Sequence, residues 1–175
     1  MCAKLTALAV AVLGGFPALA QVAGHDTPAC TAMDASLPDG MADWNGKAAM
    51  ETATSGTEMG HASLQLGRGY EVTLKKKADV VFSVEPEKPG GSVSYSGLFA
   101  FDVQAAGNYA VALGAPPWID VLEDGKALEP ASFGHGPACT TIRKNVVYAL
   151  KSGPHILQVA GNGAEALKLM ITKLP

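Results

Sequence analysis

From His61 to the C-terminus the chain repeats one cadence: a short run alternating apolar and polar residues, then a cluster of Gly, Pro, Asn or Asp. Ala62–Leu66 alternates until Gly67-Arg68-Gly69 breaks it, and Tyr70–Leu74 alternates again. Asp79–Val84 ends at Pro86, and the turn Pro89-Gly90-Gly91 precedes Ser92–Val103, where Val93, Tyr95, Phe99, Phe101 and Val103 share one parity. Asn108–Leu113 and Trp118–Leu122 follow, then the hairpin signal Glu123-Asp124-Gly125. Asn145–Leu150, His155–Ala160 and Leu167–Thr172 close the series, separated by Lys151-Ser152-Gly153-Pro154 and Gly161-Asn162-Gly163. A period of two sends successive side chains to opposite faces of a strand, so each run has one face to bury. About nine or ten such strands with turn residues between them define an all-β chain, a jelly-roll-like antiparallel β-sandwich. Gly97, in mid-run, marks an expected bulge.

The residues before this series behave differently. Gln21 to Thr57 is rich in turn signals, such as Thr27-Pro28 and Leu37-Pro38-Asp39-Gly40, and has neither the helical nor the strand period. It reads as an irregular N-terminal arm over the body, anchored by Met41, Trp44 and Met50, with one short helical turn over Lys47–Thr54. The sandwich domain is expected over residues 58–175. Charged residues make up 17% of the chain and Gly contributes 20, a balance that suits short strands and tight turns. The net charge is −3, and the densest basic cluster, Lys75-Lys76-Lys77, falls between two runs as a solvated turn. That argues against a nucleic-acid partner.

Lys4 followed by the apolar stretch Leu5–Leu19 and the small-x-small tripeptide Ala18-Leu19-Ala20 reads as a signal peptide over residues 1–20. Cleavage is expected after Ala20 or, secondarily, after Ala23. The stretch is short for a membrane span, so the mature chain is expected without one, in the periplasm or secreted. Only Cys30 and Cys139 then remain, in an oxidising compartment where two cysteines pair; a metal-bound or reactive thiol is the alternative. A disulfide closing a loop of roughly a hundred residues contributes on the order of 4–5 kcal/mol in the chain-entropy model.

Two resemblances enter here. Leu98-Phe99-Ala100-Phe101-Asp102-Val103, Ala106-Gly107-Asn108-Tyr109-Ala110-Val111, Ile119-Asp120-Val121, Tyr148-Ala149-Leu150 and His155-Ile156-Leu157-Gln158-Val159 resemble a bacterial pre-peptidase C-terminal domain over Ser92 to Lys173. That implies a β-sandwich with an accessory or binding role. Leu37-Pro38 with Trp44, Pro86-Glu87-Lys88-Pro89-Gly90-Gly91, and Gly134-His135-Gly136-Pro137-Ala138-Cys139 with Ile142-Arg143-Lys144 resemble a set of short exported proteobacterial proteins, some of which carry the label homogentisate 1,2-dioxygenase. Such an enzyme needs two histidines and a carboxylate around ferrous iron. This chain has no His-x-His, and its histidines (25, 61, 135 and 155) are scattered.

Other motifs that carry chemistry are missing from the sequence: no His-Glu-x-x-His, Cys-x-x-Cys, Gly-x-Ser-x-Gly or P-loop occurs. Gly161-Asn162-Gly163 lacks the third glycine of a dinucleotide fingerprint and reads as a turn. His155, at a strand start, is expected at a surface or edge. Met33, Met41, Met50 and Met59 near His61 have ligand softness for cuprous copper but no Met-x-Met spacing, so arm packing is the reading. His25 would join an amino-terminal copper site only after cleavage at Ala23. The Phe133–Lys144 loop is the richest feature, with His135, Arg143 and Lys144 as donors for an anionic or carbonyl-bearing ligand and Cys139 to hold it still. Its bland alternative is a structural corner. The expected ligand-binding residues are His135, Arg143, Lys144, Trp118 and Asp120. The functional expectation is an exported non-catalytic module for a small polar ligand, a glycan or a partner protein, without a cofactor. The alternative is a metal-binding protein or iron dioxygenase using His135 with His25 or His61 and a carboxylate such as Asp120.

Overall fold

The structure is a computed structural model and describes residues 30–175; the expected signal peptide, the alternative cleavage site and His25 lie outside the described residues. The strands are β1 (Ala48–Glu51), β2 (Ser63–Leu64), β3 (Gly69–Thr73), β4 (Lys75–Lys76), β5 (Tyr95–Val103), β6 (Gly107–Leu113), β7 (Trp118–Glu123), β8 (Lys126–Ala127), β9 (Ser132–Gly134), β10 (Lys144–Leu150), β11 (Gly153–Asn162) and β12 (Ala166–Lys173). They form two sheets, one in the order β1-β3-β12-β6-β10-β9 and the other β2-β5-β11-β7-β8, with β4 also on β5. This is the expected all-β sandwich. Its pairing is antiparallel except at two margins, where β1 runs parallel to β3 and β2 parallel to β5.

The period-two reading explains the core. In the second sheet Phe99, Phe101, Leu157, Val159, Ile119 and Val121 all lie on one face; Val72, Val111, Val146, Tyr148, Leu169 and Ile171 answer them from the first, and all are buried. Each such side chain contributes about 1.5–3 kcal/mol on leaving water. The outer face of the first sheet has its own apolar cover: Met41 and Trp44 from the arm and Ile142 from the Phe133–Lys144 loop close over Ala110, Ala112 and Met170. Met41 and Trp44 thus anchor the arm as expected, while Met50 and Met59 pack against the main core.

Four sequence expectations change. Lys47–Thr54 is no helical turn: Ala48–Glu51 pairs as β1 with Tyr70–Thr73, because that edge of β3 offers a ladder that a lone helical turn cannot match. Asp79–Val84 is no strand. A buried glutamine, Gln158, takes the place of a partner strand, its Oε1 accepting from the Ser83 and Val84 amides and its Nε2 donating to the Val84 carbonyl. Lys75-Lys76 is a two-residue strand on β5, not a free turn. At Gly97 a Cβ would collide with the Thr52 side chain, so close approach explains this glycine; the register shift lies opposite, between Val159 and Asn162 of β11. The hairpin signal at Asp124-Gly125 holds: both residues have positive φ, 51° and 74°, as a two-residue hairpin turn requires.

A candidate ligand cleft beside Trp118

β8 pairs only with Leu122 and Glu123, so the stretch Trp118–Val121 of β7 faces outward along most of its edge. Side chains of the opposite sheet reach carbonyls along this edge: Lys144 Nζ donates to that of Pro117, just before β7, at 2.7 Å, and the Tyr148 hydroxyl reaches that of Ile119 at 3.4 Å, while the Leu128 amide donates to that of Val121. A cleft of about 870 Å³ opens there, lined among others by Lys88, Trp118, Asp120, Phe133, Lys144 and Tyr148. That volume lies in the range of small-molecule sites.

Trp118 and Asp120, two apart on β7, share a face of the strand. The Trp118 indole N–H donates to Asp120 Oδ1 at 3.0 Å. Asp120 Oδ2 is buried with no hydrogen-bond partner. Burial pushes the Asp120 carboxyl above its ordinary value, opposed by the Trp118 indole, the cross-strand Gln158 amide and the Lys144 charge. The Lys144 ammonium is half-buried; burial and then repulsion from Lys88 hold it below the usual lysine range. Burial, then the charges of Asp120 and Glu129, raise the Tyr148 phenol, so it remains a neutral donor. Two ammonium groups attend one indole: Lys88 Nζ lies 4.9 Å and Lys144 Nζ 5.8 Å from the Trp118 ring centroid. Among the described residues neither lysine makes an ion pair.

Of the five expected ligand residues, Trp118, Asp120 and Lys144 converge on this cleft. His135 and Arg143 do not; both are exposed and line a smaller neighbouring cleft of about 320 Å³, which shares Phe133 and Lys144. The inward half of the Phe133–Lys144 loop forms a corner. Asp34 accepts from the Thr141 amide at 2.7 Å and from its hydroxyl at 2.6 Å, and the Trp44 indole donates to that hydroxyl at 2.8 Å. Cys30 and Cys139 stand at disulfide distance beside it, with Cα atoms 5.3 Å apart. The loop is thus a corner on its inner side and the rim of a cleft on its outer side.

The histidines separate further. His155 is not at the surface: it is 3% exposed, stacked on Phe101, with Nδ1 against the Gly153 carbonyl and Nε2 against Glu123. Glu123 also accepts from Lys151, and that bond above all holds its carboxyl below the ordinary value. His61 is exposed beside the Thr52 carbonyl. Among the described residues, no three of His, Cys, Asp and Glu stand together as a metal set, so His135, His61 and Asp120 do not meet. No helix of the described residues is long and apolar enough to cross a membrane.

Sequence reasoning passed over Lys88 and Tyr148. Tyr148 lies at the same parity as Val146 within the Asn145–Leu150 run, and its apolar neighbours hid the hydroxyl's reach into the cleft. Lys88 sat inside Pro86–Gly91, whose backbone is held by Gly90 at φ 81° packed against Gly161, and this close approach aims the lysine at Trp118.

No protein-family model matches the chain, and no curated protein matches it. Among solved structures it is similar to the pre-peptidase C-terminal domain of a collagenase from Bacillus anthracis, at 14% identity and a TM-score of 0.39, over 71% of this chain and 95% of that one. The strand pairings themselves establish the β-sandwich.

Proposed function

We propose that the chain is an exported, non-catalytic binding module that takes a small polar ligand in the cleft beside Trp118. The observation that carries this reading is the convergence of Trp118, Asp120, Lys88 and Lys144, charged groups without ion-pair partners around one partly exposed indole. A buried carboxylate oxygen left unbonded costs about 1–3 kcal/mol, and a fold retains such a group most readily where a site uses it. Two phrases by which the sequence resembles exported proteobacterial proteins, Pro86–Gly91 and Gly134–Cys139, border the two clefts. Cysteines at disulfide distance suit an oxidising compartment.

The test is a thermal-shift screen of small polar compounds on wild type, on Lys144→Ala and on His135→Ala/Arg143→Ala. Compounds that raise the wild-type Tm are expected to lose their effect in Lys144→Ala and keep it in the double variant. Equal shifts in wild type and Lys144→Ala would remove the ligand from this cleft.

A further inference from the structure

Resting on the cleft as the binding site, we infer that its ligand is a neutral polyhydroxylated ring, a pyranose unit of a glycan, laid against the Trp118 indole. The first argument is the polarity of the indole face. Lys88, an exposed side chain on a loop, comes to 4.9 Å from that ring's centroid, so the face is presented to an electropositive partner. The C–H groups on one face of a pyranose carry the same polarity, and Lys88, exposed and on a loop, yields the position at little cost.

The second argument is the charge of the wall. Glu85, Glu87, Asp120 and Glu129 line the cleft together with Lys88 and Lys144. Among the described residues none of these six is ion-paired. Four carboxylates against two ammonium groups leave the wall negative on balance, which disfavours an anionic ligand, while the interspersed lysines deny a cation an unbroken acidic surface. A neutral polyol meets both: its hydroxyls donate to the carboxylates and accept from the ammonium groups. The cleft, about 870 Å³, is near the top of the range for small-molecule sites and has room for a short oligosaccharide.

The readout is built in. Trp44 is fully buried, whereas Trp118 is partly exposed in the cleft, so ligand-dependent change in tryptophan emission reports Trp118. Three sets of probes of matched length are titrated into the full chain: neutral (maltotriose, cellotriose and triacetylchitotriose), cationic (chitotriose) and anionic (trigalacturonate). At least one neutral trisaccharide is expected to change the emission saturably and to bind about tenfold more tightly than either charged one. Calorimetry on Trp118→Ala, with far-ultraviolet dichroism confirming its fold, is expected to show loss of binding by about tenfold or more. Trp118→Phe, which keeps an aromatic face, is expected to fall between the two. If a charged probe saturates the signal more tightly than every neutral one, the inference of an uncharged sugar fails and the cleft reading survives. Silence from all probes overturns the sugar inference and leaves the cleft reading to the thermal-shift screen, whereas binding that a folded Trp118→Ala leaves unchanged overturns both.

Discussion

The molecule's two tryptophans have similar local chemistry and opposite settings. Trp44 donates its indole N–H to Thr141 Oγ1 at 2.8 Å, and Lys168 Nζ lies 4.5 Å from its ring centroid. Trp118 donates to Asp120 at 3.0 Å, with Lys88 and Lys144 around its ring. Around Trp44 the polar account closes: the Thr141 hydroxyl that accepts from the indole donates in turn to Asp34, whose other oxygen takes the Thr141 amide. Around Trp118 it stays open, with Asp120 Oδ2 unpartnered and two lysines unpaired. A closed polar network fixes one arrangement and ties arm to loop; an open one leaves hydrogen-bonding capacity for something else. The difference separates scaffold from proposed site where residue type alone cannot.

This contrast can be broken by measurement. The largest stability effect is expected where Cys30 and Cys139 staple the closed corner. If they form a disulfide, Cys30→Ser/Cys139→Ser lowers unfolding stability by about 4–5 kcal/mol in denaturant titration, the chain-entropy figure for a loop of 109 residues. Free thiols in unfolded, non-reduced protein treated with an alkylating reagent would remove that staple from the account. Trp44→Ala is expected to cost about 3–5 kcal/mol, as large-to-small changes in a packed core do. Trp118→Ala is expected to cost about 1 kcal/mol or less because its ring is already partly in water. Comparable losses for the two would abolish the distinction.

A smaller effect is expected from Asp34→Ala, which strips two short bonds from Thr141 and leaves its amide without that acceptor, about 1–3 kcal/mol. The smallest is pH-dependent and belongs to the cleft. Burial raises the Asp120 carboxyl above its unfolded value, so the folded chain holds that proton more tightly. Its contribution to stability is therefore present below the unfolded value and lost as pH climbs through the folded one. Asp120→Asn removes this loss. The variant is expected to gain relative to wild type as pH rises from about 4 towards neutrality, measured as the difference in Tm, and to show no gain below that range. A gain that grows as pH falls would mean that the carboxylate is stabilised where it stands.

The sandwich was legible because period-two alternation is local and redundant: Ser92–Val103, Asn108–Leu113 and His155–Ala160 each carry it, and each forms a strand within three residues of the expected limits. What the sequence hid was partner choice. Val80, Val81 and Phe82 have strand propensity, but a ladder needs a free edge, and Gln158 took up the backbone groups of Ser83 and Val84 instead. Ala48–Glu51 shows no strong alternation and becomes a strand only because β3 lies open beside it. His155 looked peripheral by its place after Pro154; stacking on Phe101 and a bond to Glu123 make it an interior group. The cleft was legible by halves for the same reason. Trp118, Asp120 and Lys144 were named from the sequence, whereas Lys88 reached them through a loop whose path depends on Gly90 resting against Gly161.

The chain near Thr52 also decides how this molecule meets its neighbours. After β1 it leaves the first sheet, and Ala53 exchanges hydrogen bonds with Leu98 in the second. With β4 on Tyr95–Ser96 and β2 on Ala100–Phe101, the outer margin of β5 is corked along its length. The remaining marginal strands among the described residues are short: β1 has four residues, β8 two and β9 three, with Lys126 in β8 and Pro130 between β8 and β9. Brief margins bearing charge and proline are poor templates for a foreign strand. The arm thus serves twice, supplying a strand to the first sheet and covering the margin of β5 in the second, so the same segment that closes over the core also shortens the edges a foreign strand would find.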